Sequence, residues 1–440
     1  MSGAPKDQGL AVPSSRLARL ARVGSMATGI AGNMALGAAR DLGRGTRPDW
    51  QGLLITPTNI RRIADELAKM RGAAMKVGQL MSMDAGEVLP PELADILARL
   101  RDDAHFMPPA QLKQVLNASW GSKWVSAFAH FDVRPIAAAS IGQVHRATLK
   151  DGREVAIKVQ YPGVARSVDS DVANVGVLVR LSGVLPKGFE LAPYLDEARR
   201  QLREETDYLR EGLSLQAFAE RLAARPEFEL PQYHADWSGA SVLTMSHVAG
   251  DPIEQLAKLD QATRERIATD LIDLMFQEVF EFQEMQSDPN FANYRFNPET
   301  GRIVLLDFGA TRTISPEIVD LYRRLFAAGL GDDQPNLHDA IAEIGLLPAG
   351  TKPEHRDRIL AMADMAFEAL RATELYDFAD QTLSKRLQDA GMRLAAGGYV
   401  PPPVPMDVLY LQRKFAGLFL LASRLKARVP VQAILARRLP

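Results

Sequence analysis

No cysteine occurs anywhere in the 440 residues. Disulfides and thiolate-ligated metals are therefore excluded, and the chain fits a reducing compartment, the cytoplasm. A charge of one sign is missing too: 52 Lys and Arg stand against 54 Asp and Glu, a formal net charge of −2. Such a balance leaves no global field with which to gather nucleic acid, which is set aside as a partner. No secretory leader is visible, since Met1 to Leu10 is polar. The longest uncharged run near the start, Val23 to Ala39, is rich in Gly and Ala and falls short of the roughly 20 apolar residues a span needs. The expectation is a soluble protein or one held peripherally at a membrane.

What charge there is lies unevenly. Residues 1–50 carry seven Lys or Arg against three Asp or Glu, and seven basic residues but no acid follow Asp407. Basic ends on a neutral body read either as solvated termini or as contact with an anionic phospholipid surface. With 47% hydrophobic residues the chain can bury a large core and more than one domain.

The stretch from Gln283 to Ile314 carries the chemistry. Asp288 and Asn293 stand five apart in a polar loop, and Asp307 follows the apolar run Ile303 to Leu306 and opens Asp-Phe-Gly. That is the spacing of a kinase catalytic loop and its metal-binding aspartate. Phosphoryl transfer is mostly positioning and charge neutralisation: one carboxylate orients the attacking oxygen, while an Asn and a second carboxylate hold Mg²⁺ against the phosphates. Asp288 suits the first task, Asn293 and Asp307 the second. Between them, Asn297-Pro298-Glu299-Thr300-Gly301 reads as a hairpin turn. Alone, Asp-Phe-Gly can be no more than a strand-ending turn, so the upstream partners decide.

Arg153 to Val159 is a strand pattern containing Val-Ala-Ile-Lys, whose Lys158 would pair with the α/β-phosphates. Ahead of it, Ala137-Ala138-Ala139-Ser140-Ile141-Gly142-Gln143-Val144 occupies the place of a glycine-rich loop, with Ala137 and Ala139 where the first two glycines would stand and Gly142 and Val144 matching. Alanine disfavours positive φ, so this loop should grip a nucleotide differently from a glycine loop. Asp151-Gly152 supplies the turn between the two strands. Glu211, on a helix expected over Leu195 to Arg225, is the partner for Lys158. Met245, Ser246, His247 and Val248 fall where a hinge backbone would meet an adenine edge. ATP and Mg²⁺ are the cofactors implied.

In chain order, residues 1–55 form a basic, small-residue extension, in which Arg16 to Val23 reads as a basic amphipathic helix. Thr58-Asn59 caps a helix from Ile60 to about Met83 that contains Lys76-Val77-Gly78-Gln79. Gly72 and Gly78 each cost about 1 kcal/mol against Ala there. Pro90-Pro91 starts a further helix, Glu92 to Arg101, and Pro108-Pro109 another to about Trp120, so 56–125 reads as a helical domain. Residues 126–248 form a small β-lobe with a helical insert, and 249–440 a helical lobe. Gln261 to Met285 is one helix leading into the catalytic loop. The fold class is α+β, a two-lobed protein-kinase-like fold. No Ala-Pro-Glu follows Asp-Phe-Gly and Gln286-Ser287 replaces the kinase His-Arg, so a platform for protein substrates is missing.

These residues resemble the UbiB/ADCK (aarF-domain-containing) family of atypical kinases over about residues 20–430. Lys76-Val77-Gly78-Gln79 is similar to that family's Lys-x-Gly-Gln motif, Ala137–Ser140 to its alanine-rich loop, and Glu205-Thr206-Asp207 to its Glu-x-Asp motif. Met285 to Asn290 looks like the branch of the mitochondrial coenzyme Q proteins, as does the C-terminal Arg413-Lys414. The resemblance implies Mg-ATP binding, support of ubiquinone biosynthesis and an anionic membrane. It also implies quinone-precursor lipids or quinone-biosynthesis proteins as partners, and it is compatible with an oligomer. It further implies that the N-terminal helical domain covers the active site, with Lys76, Gly78 and Gln79 near Glu205 and Asp207, blocking protein substrates. Besides an ATP-dependent enzyme, two functions stay open: a non-catalytic, ATP-gated lipid or complex chaperone, and a small-molecule phosphotransferase.

Overall fold

The computed structural model describes residues 70–85, 106–139, 141–181, 190–371, 374–399, 402 and 404–439. The expectations for residues 1–55, for the start of the Ile60 helix, for the Glu92–Arg101 helix and for Ser140 lie outside the described residues, as does the side chain of Gln79. The chain divides into two compact units. The first runs to Gln216 and adds Gln232–His247; the second is Ala217–Pro231 with Val248 onward.

The first unit opens with helices α1 (Arg71–Ala85) and α2 (Pro109–Trp120), then strands β1 (Phe128–Phe131), β2 (Ala137–Ala138), β3 (Gly142–Leu149) and β4 (Glu154–Gln160). Helices α3 (Val164–Leu181), α4 (Ala192–Glu205) and α5 (Tyr208–Arg221) follow, α5 crossing into the second unit. There the chain forms β5 (Phe228–Glu229) before returning as β6 (Val242–Ser246). The sheet is antiparallel in the order β1-β3-β4-β6, with β2 hydrogen-bonded to β3. Alternation drives it: Val155, Ile157 and Val159 are fully buried on one face of β4, with Lys158 set between two of them. The β3–β4 turn needs Gly152, whose φ is +91°.

Helix α2 shares a core with this sheet. Its Leu112, Val115 and Leu116 pack with Trp124, Phe128 and the buried β4 valines, and Trp120, Trp124, Phe128 and Trp237 form edge and stacked aromatic pairs. The sequence reading set residues 56–125 apart from the β-lobe; in the structure the last helix of that segment is the cover of the sheet, because its apolar stripe has nowhere else to be buried. Helix α1 packs on α3 and α4 and continues through both Gly72 and Gly78. Gly176 lets α3 meet α4, since a Cβ there would stand 2.6 Å from Leu195 Cδ1.

The single helix expected over Leu195 to Arg225 is two. It breaks at Thr206-Asp207, where the Asp207 carboxylate accepts a hydrogen bond from the Arg210 backbone N–H at 3.0 Å and starts α5 afresh. An aspartate satisfies the orphan donors of a helix start better than it continues a helix, and here the cap wins.

The second unit holds β7 (Asp251–Pro252), helix α6 (Gln261–Gln277), β8 (Glu284–Gln286), β9 (Tyr294–Asn297), β10 (Arg302–Leu305) and β11 (Thr311–Thr313). One sheet has the order β5-β10-β9-β7, and β8 pairs with β11. Asp260 caps α6 by accepting from the Thr263 N–H at 2.9 Å. The helix ends sooner than the sequence reading put it: a π-turn over Glu278–Phe282 and Gln283, at φ 52°, bring it to a stop, and Met285 lies in β8. The Asn297–Gly301 hairpin forms as expected, with Gly301 at φ +69°. Beyond β11 come α7 (Pro316–Leu330), α8 (Gln334–Glu343), α9 (Pro353–Arg371), β12 (Tyr376–Asp377), α10 (Thr382–Ala396), α11 (Met406–Arg424), β13 (Arg428–Val429) and α12 (Val431–Arg438). No described helix is long and apolar enough to cross a membrane.

Candidate functional site

In the first unit, β4 presents Lys158 between its neighbours Val144 on β3 and Leu243 on β6. Its Nζ donates to Glu211 Oε1 at 2.6 Å and lies 5.6 Å from the centre of the Tyr208 ring. Glu211 sits in the first turn of α5, where a carboxylate also favours the helix dipole. The two side chains are 13% and 3% exposed, so the pair works in a weakly screening environment. Just upstream, Lys76 of α1 forms an ion pair with Glu205 at the end of α4; their side chains are 8% and 18% exposed. Lys76 and Glu205 are thus brought together, Gly78 two residues after Lys76 is buried, and the Asp207 carboxylate caps α5.

The alanine-rich segment is a hairpin. Ala137 pairs with Val144, Ala138 with Gln143, and the Ala139 N–H donates to the Gly142 carbonyl at 2.8 Å. Gly142 is required by packing: a Cβ would press into the Val159 carbonyl oxygen and come within 2.9 Å of Tyr208 Oη. Next to it, fully buried Gln143 accepts from the Met107 N–H at 2.8 Å, and its Nε2 lies 2.8 Å from His145 Nε2. The His145 Nδ1 must donate to the Asp132 carbonyl, 2.8 Å away, so Nε2 accepts and the ring is neutral. Burial lowers its pKa accordingly, with Asp132 pulling the other way.

Of the hinge residues, Met245 pairs with Ala156 inside the sheet. The Ser246 N–H donates to the Gln232 carbonyl and the His247 N–H to the Glu154 carbonyl, each at 2.9 Å, and the Ser246 hydroxyl accepts from the Gln232 N–H. Both donors are spent within the unit. Val248 opens the second unit.

In the second unit the residues expected to form the catalytic loop are tied together through backbone carbonyls. Asn293 Nδ2 donates to the Asp288 carbonyl at 3.2 Å, and the Leu306 N–H donates to the Asn293 carbonyl at 3.1 Å, tying the loop to the segment between β10 and Asp307. Asp307 Oδ1 accepts from the Gly309 N–H at 3.0 Å. Phe308 is buried 5.0 Å from Phe218 between ring centres, anchoring Asp-Phe-Gly in the core. Since Asn293 uses its amide nitrogen on the loop, its oxygen is the atom suited to a cation. That oxygen and the Asp307 carboxylate are hard donors of the kind Mg²⁺ takes. Among the described residues no cluster of three or more His, Asp or Glu could hold a metal alone, so a cation here would complete its shell with phosphate and water.

Two residues of the site were not assigned a role from sequence. Arg413 on α11 donates to Asp288 Oδ1 at 2.7 Å. Lys414, only 2% exposed, donates to the Gln286 carbonyl at 2.8 Å and stands 3.0 Å from Glu278 Oε2 and 3.3 Å from Tyr294 Oη. Burial raises the Glu278 pKa, and burial opposes the Lys414 charge, yet Glu278 and Tyr294 together hold that lysine above its ordinary value. The signal was there: Lys414 falls on the stripe Tyr410, Lys414, Leu418, Leu421, where a helix buries its side chains.

Residues 99–340 match the model of the ABC1 atypical kinase-like domain. The chain belongs to the ABC1 atypical kinase family. Among its relatives are "Atypical kinase COQ8, mitochondrial" of Saccharomyces cerevisiae, 38% identical over 95% of this chain and 83% of that protein, and "Atypical kinase COQ8B, mitochondrial" of Danio rerio, 35% identical over 95% and 67%. Among solved structures, the Rv3197–erythromycin complex from Mycobacterium tuberculosis shares the fold with a TM-score of 0.60 at 26% identity, over 85% of this chain and 94% of that one. The ABC1 match begins ahead of α2 and ends within α8, so it takes in Lys158, Glu211, Asp288, Asn293 and Asp307 but neither Lys76 nor Arg413.

Proposed function

We propose that this ABC1 atypical kinase binds Mg-ATP and turns it over in support of coenzyme Q biosynthesis at a membrane. The observation that carries the reading is the Lys158–Glu211 contact, a strand lysine held by a helix carboxylate at 2.6 Å. In kinases that pairing sets the lysine for the α/β-phosphates. Glu211 orients Lys158, and Asp288 orients the hydroxyl or water that attacks. Asn293 and Asp307 hold Mg²⁺, which when bound neutralises the charge of the transferring phosphoryl group. The Met245–Val248 backbone is the stretch offered to an adenine edge, with the Ser246 and His247 N–H groups already given to Gln232 and Glu154. The Ala137–Val144 hairpin is the loop assigned to the phosphates. Lys76, paired with Glu205, is the regulatory contact that keeps protein substrates out. The coenzyme Q role and the membrane follow the COQ8 relatives.

Asp307→Asn is the test. Mg-dependent ATP hydrolysis should fall to background while the melting temperature stays near that of the parent. Turnover equal to the parent's would remove Asp307 and the metal site from the scheme.

A further inference from the structure

We propose that Arg413 is a positioning residue for Asp288, and that one face of α11 sets the geometry of the acceptor side of the reaction. The proposal rests on the reading of Asp288 as the group that orients the attacking oxygen. From Glu284 to Tyr294 the chain contains no Lys or Arg, so a cation for Asp288 must come from elsewhere in the fold. It comes from α11.

Helical spacing puts Tyr410, Arg413, Lys414, Gly417 and Arg424 along one side of that helix. Each meets the catalytic loop or its flank. Tyr410 lies under the Arg312 guanidinium at 4.0 Å, Arg413 holds Asp288 Oδ1 at 2.7 Å, and Lys414 donates to the Gln286 carbonyl at 2.8 Å. Gly417 brings the helix so close that an added Cβ would stand 2.5 Å from Pro289, and the Arg424 guanidinium sits 4.9 Å from the Phe291 ring. The loop between β8 and β9 holds the short turn at Phe291–Asn293, and Asn293 Nδ2 ties to the Asp288 backbone carbonyl rather than to its carboxylate. Lys414, buried against Glu278, makes the helix a fixed base, and Arg413 one residue earlier takes hold of one carboxylate oxygen. In this proposal the other oxygen, Oδ2, is the one given to the acceptor. A carboxylate so clamped gives one orientation instead of several, which is what positioning contributes to rate.

The experiment uses the full chain with Mg-ATP, and compares the parent with Arg413→Gln, Arg413→Lys, Asp288→Asn and the Asp288→Asn/Arg413→Gln double variant. Arg413→Gln should lower kcat by about tenfold or more, leaving KM for ATP and the melting-temperature rise given by Mg-ADP unchanged. Arg413→Lys should recover part of the loss, and the double variant should be no slower than Asp288→Asn. An unchanged kcat in Arg413→Gln, a raised KM in its place, or losses that multiply in the double variant would overturn the proposal. Should Arg413→Gln lose cooperative melting, Arg413→Met replaces it with the same expectation, and loss in both overturns positioning in favour of a purely structural ion pair. Full turnover in Asp288→Asn sinks the reading of Asp288 itself, whereas slow Asp288→Asn beside normal Arg413→Gln sinks only the role of Arg413.

Discussion

The Lys158–Glu211 pair separates stability from function, and the two can be measured apart. At 2.6 Å, with side chains 13% and 3% exposed, both charges are largely withdrawn from water. Removing one partner of such a pair costs about 3–5 kcal/mol, since the other charge stays buried. Lys158 at the higher exposure puts the loss for Glu211→Leu toward the lower end, about 3 kcal/mol, or roughly 6–12 °C in the melting of a unit of this size. Lys158→Met should cost about as much, because Glu211 is the deeper group of the two. The double variant Lys158→Met/Glu211→Leu removes both charges and fills their space with apolar atoms, so it should recover to within about 1 kcal/mol of the parent. ATP turnover, however, should be lost in all three. Urea unfolding and an ATPase assay on the same preparations give both readouts. If the single losses add in the double variant, the pair is not energetically coupled and the burial argument fails. If the double variant turns over ATP, Lys158 does not hold phosphates.

Two further perturbations bear on the hairpin that carries the alanine-rich loop. Gly142→Ala should destabilise the first unit by about 1–3 kcal/mol, because the new methyl meets the Val159 backbone and Tyr208, and backbone cannot step aside; an unchanged urea midpoint would refute the close approach. His145 should make stability pH-dependent. Its folded pKa lies below the ordinary value of about 6.5, so the unfolded chain binds the extra proton first, and stability held above about pH 6.5 drains away as pH falls toward the folded value. His145→Asn keeps a donor for the Asp132 carbonyl and cannot titrate, so its stability should change less than the parent's between pH 7.5 and about pH 5.5. His234, also lowered by burial, contributes a slope common to both proteins, and equal slopes would exclude His145 as the source.

The legible parts of this fold were those where local chemistry and tertiary need agree. Alternating valines around Lys158, the Asp151-Gly152 turn and the Asn297–Gly301 hairpin each follow from side-chain period and backbone freedom, and each stands as the sequence reading had it. The misjudged boundaries share one cause. Leu195 to Arg225 reads as a continuous helix by periodicity, but Asp207 caps a new one, and the break is what lets Glu205 face Lys76 on one segment while Glu211 faces Lys158 on the next. Gln261 to Met285 likewise reads as one helix, yet the chain must leave it early so that Gln286 can pair with Thr311 and hold the catalytic loop between two strands. Neither stop is written in hydrophobic spacing, because both serve contacts with residues distant in sequence.

Charge was the other place where sequence and structure part. Counted along the chain, the tail after Asp407 is basic without relief and suggests a surface for anionic lipid. In the fold, Arg413 meets Asp288, Lys414 meets Glu278, Arg428 meets Glu265 at 2.6 Å, Arg437 and Arg438 meet Asp273, and Arg424 covers Phe291. The acids that answer this tail come from the loop that carries Asp288, from α6 and from the π-turn that follows it, more than 120 residues away for Arg413 with Asp288 and for Lys414 with Glu278 alike. A basic run engaged in this way fastens the C-terminal helices to the loop that carries Asp288 and to α6. The basic excess of residues 1–50 is the other such concentration in the sequence, and it is the one the proposed membrane contact draws on.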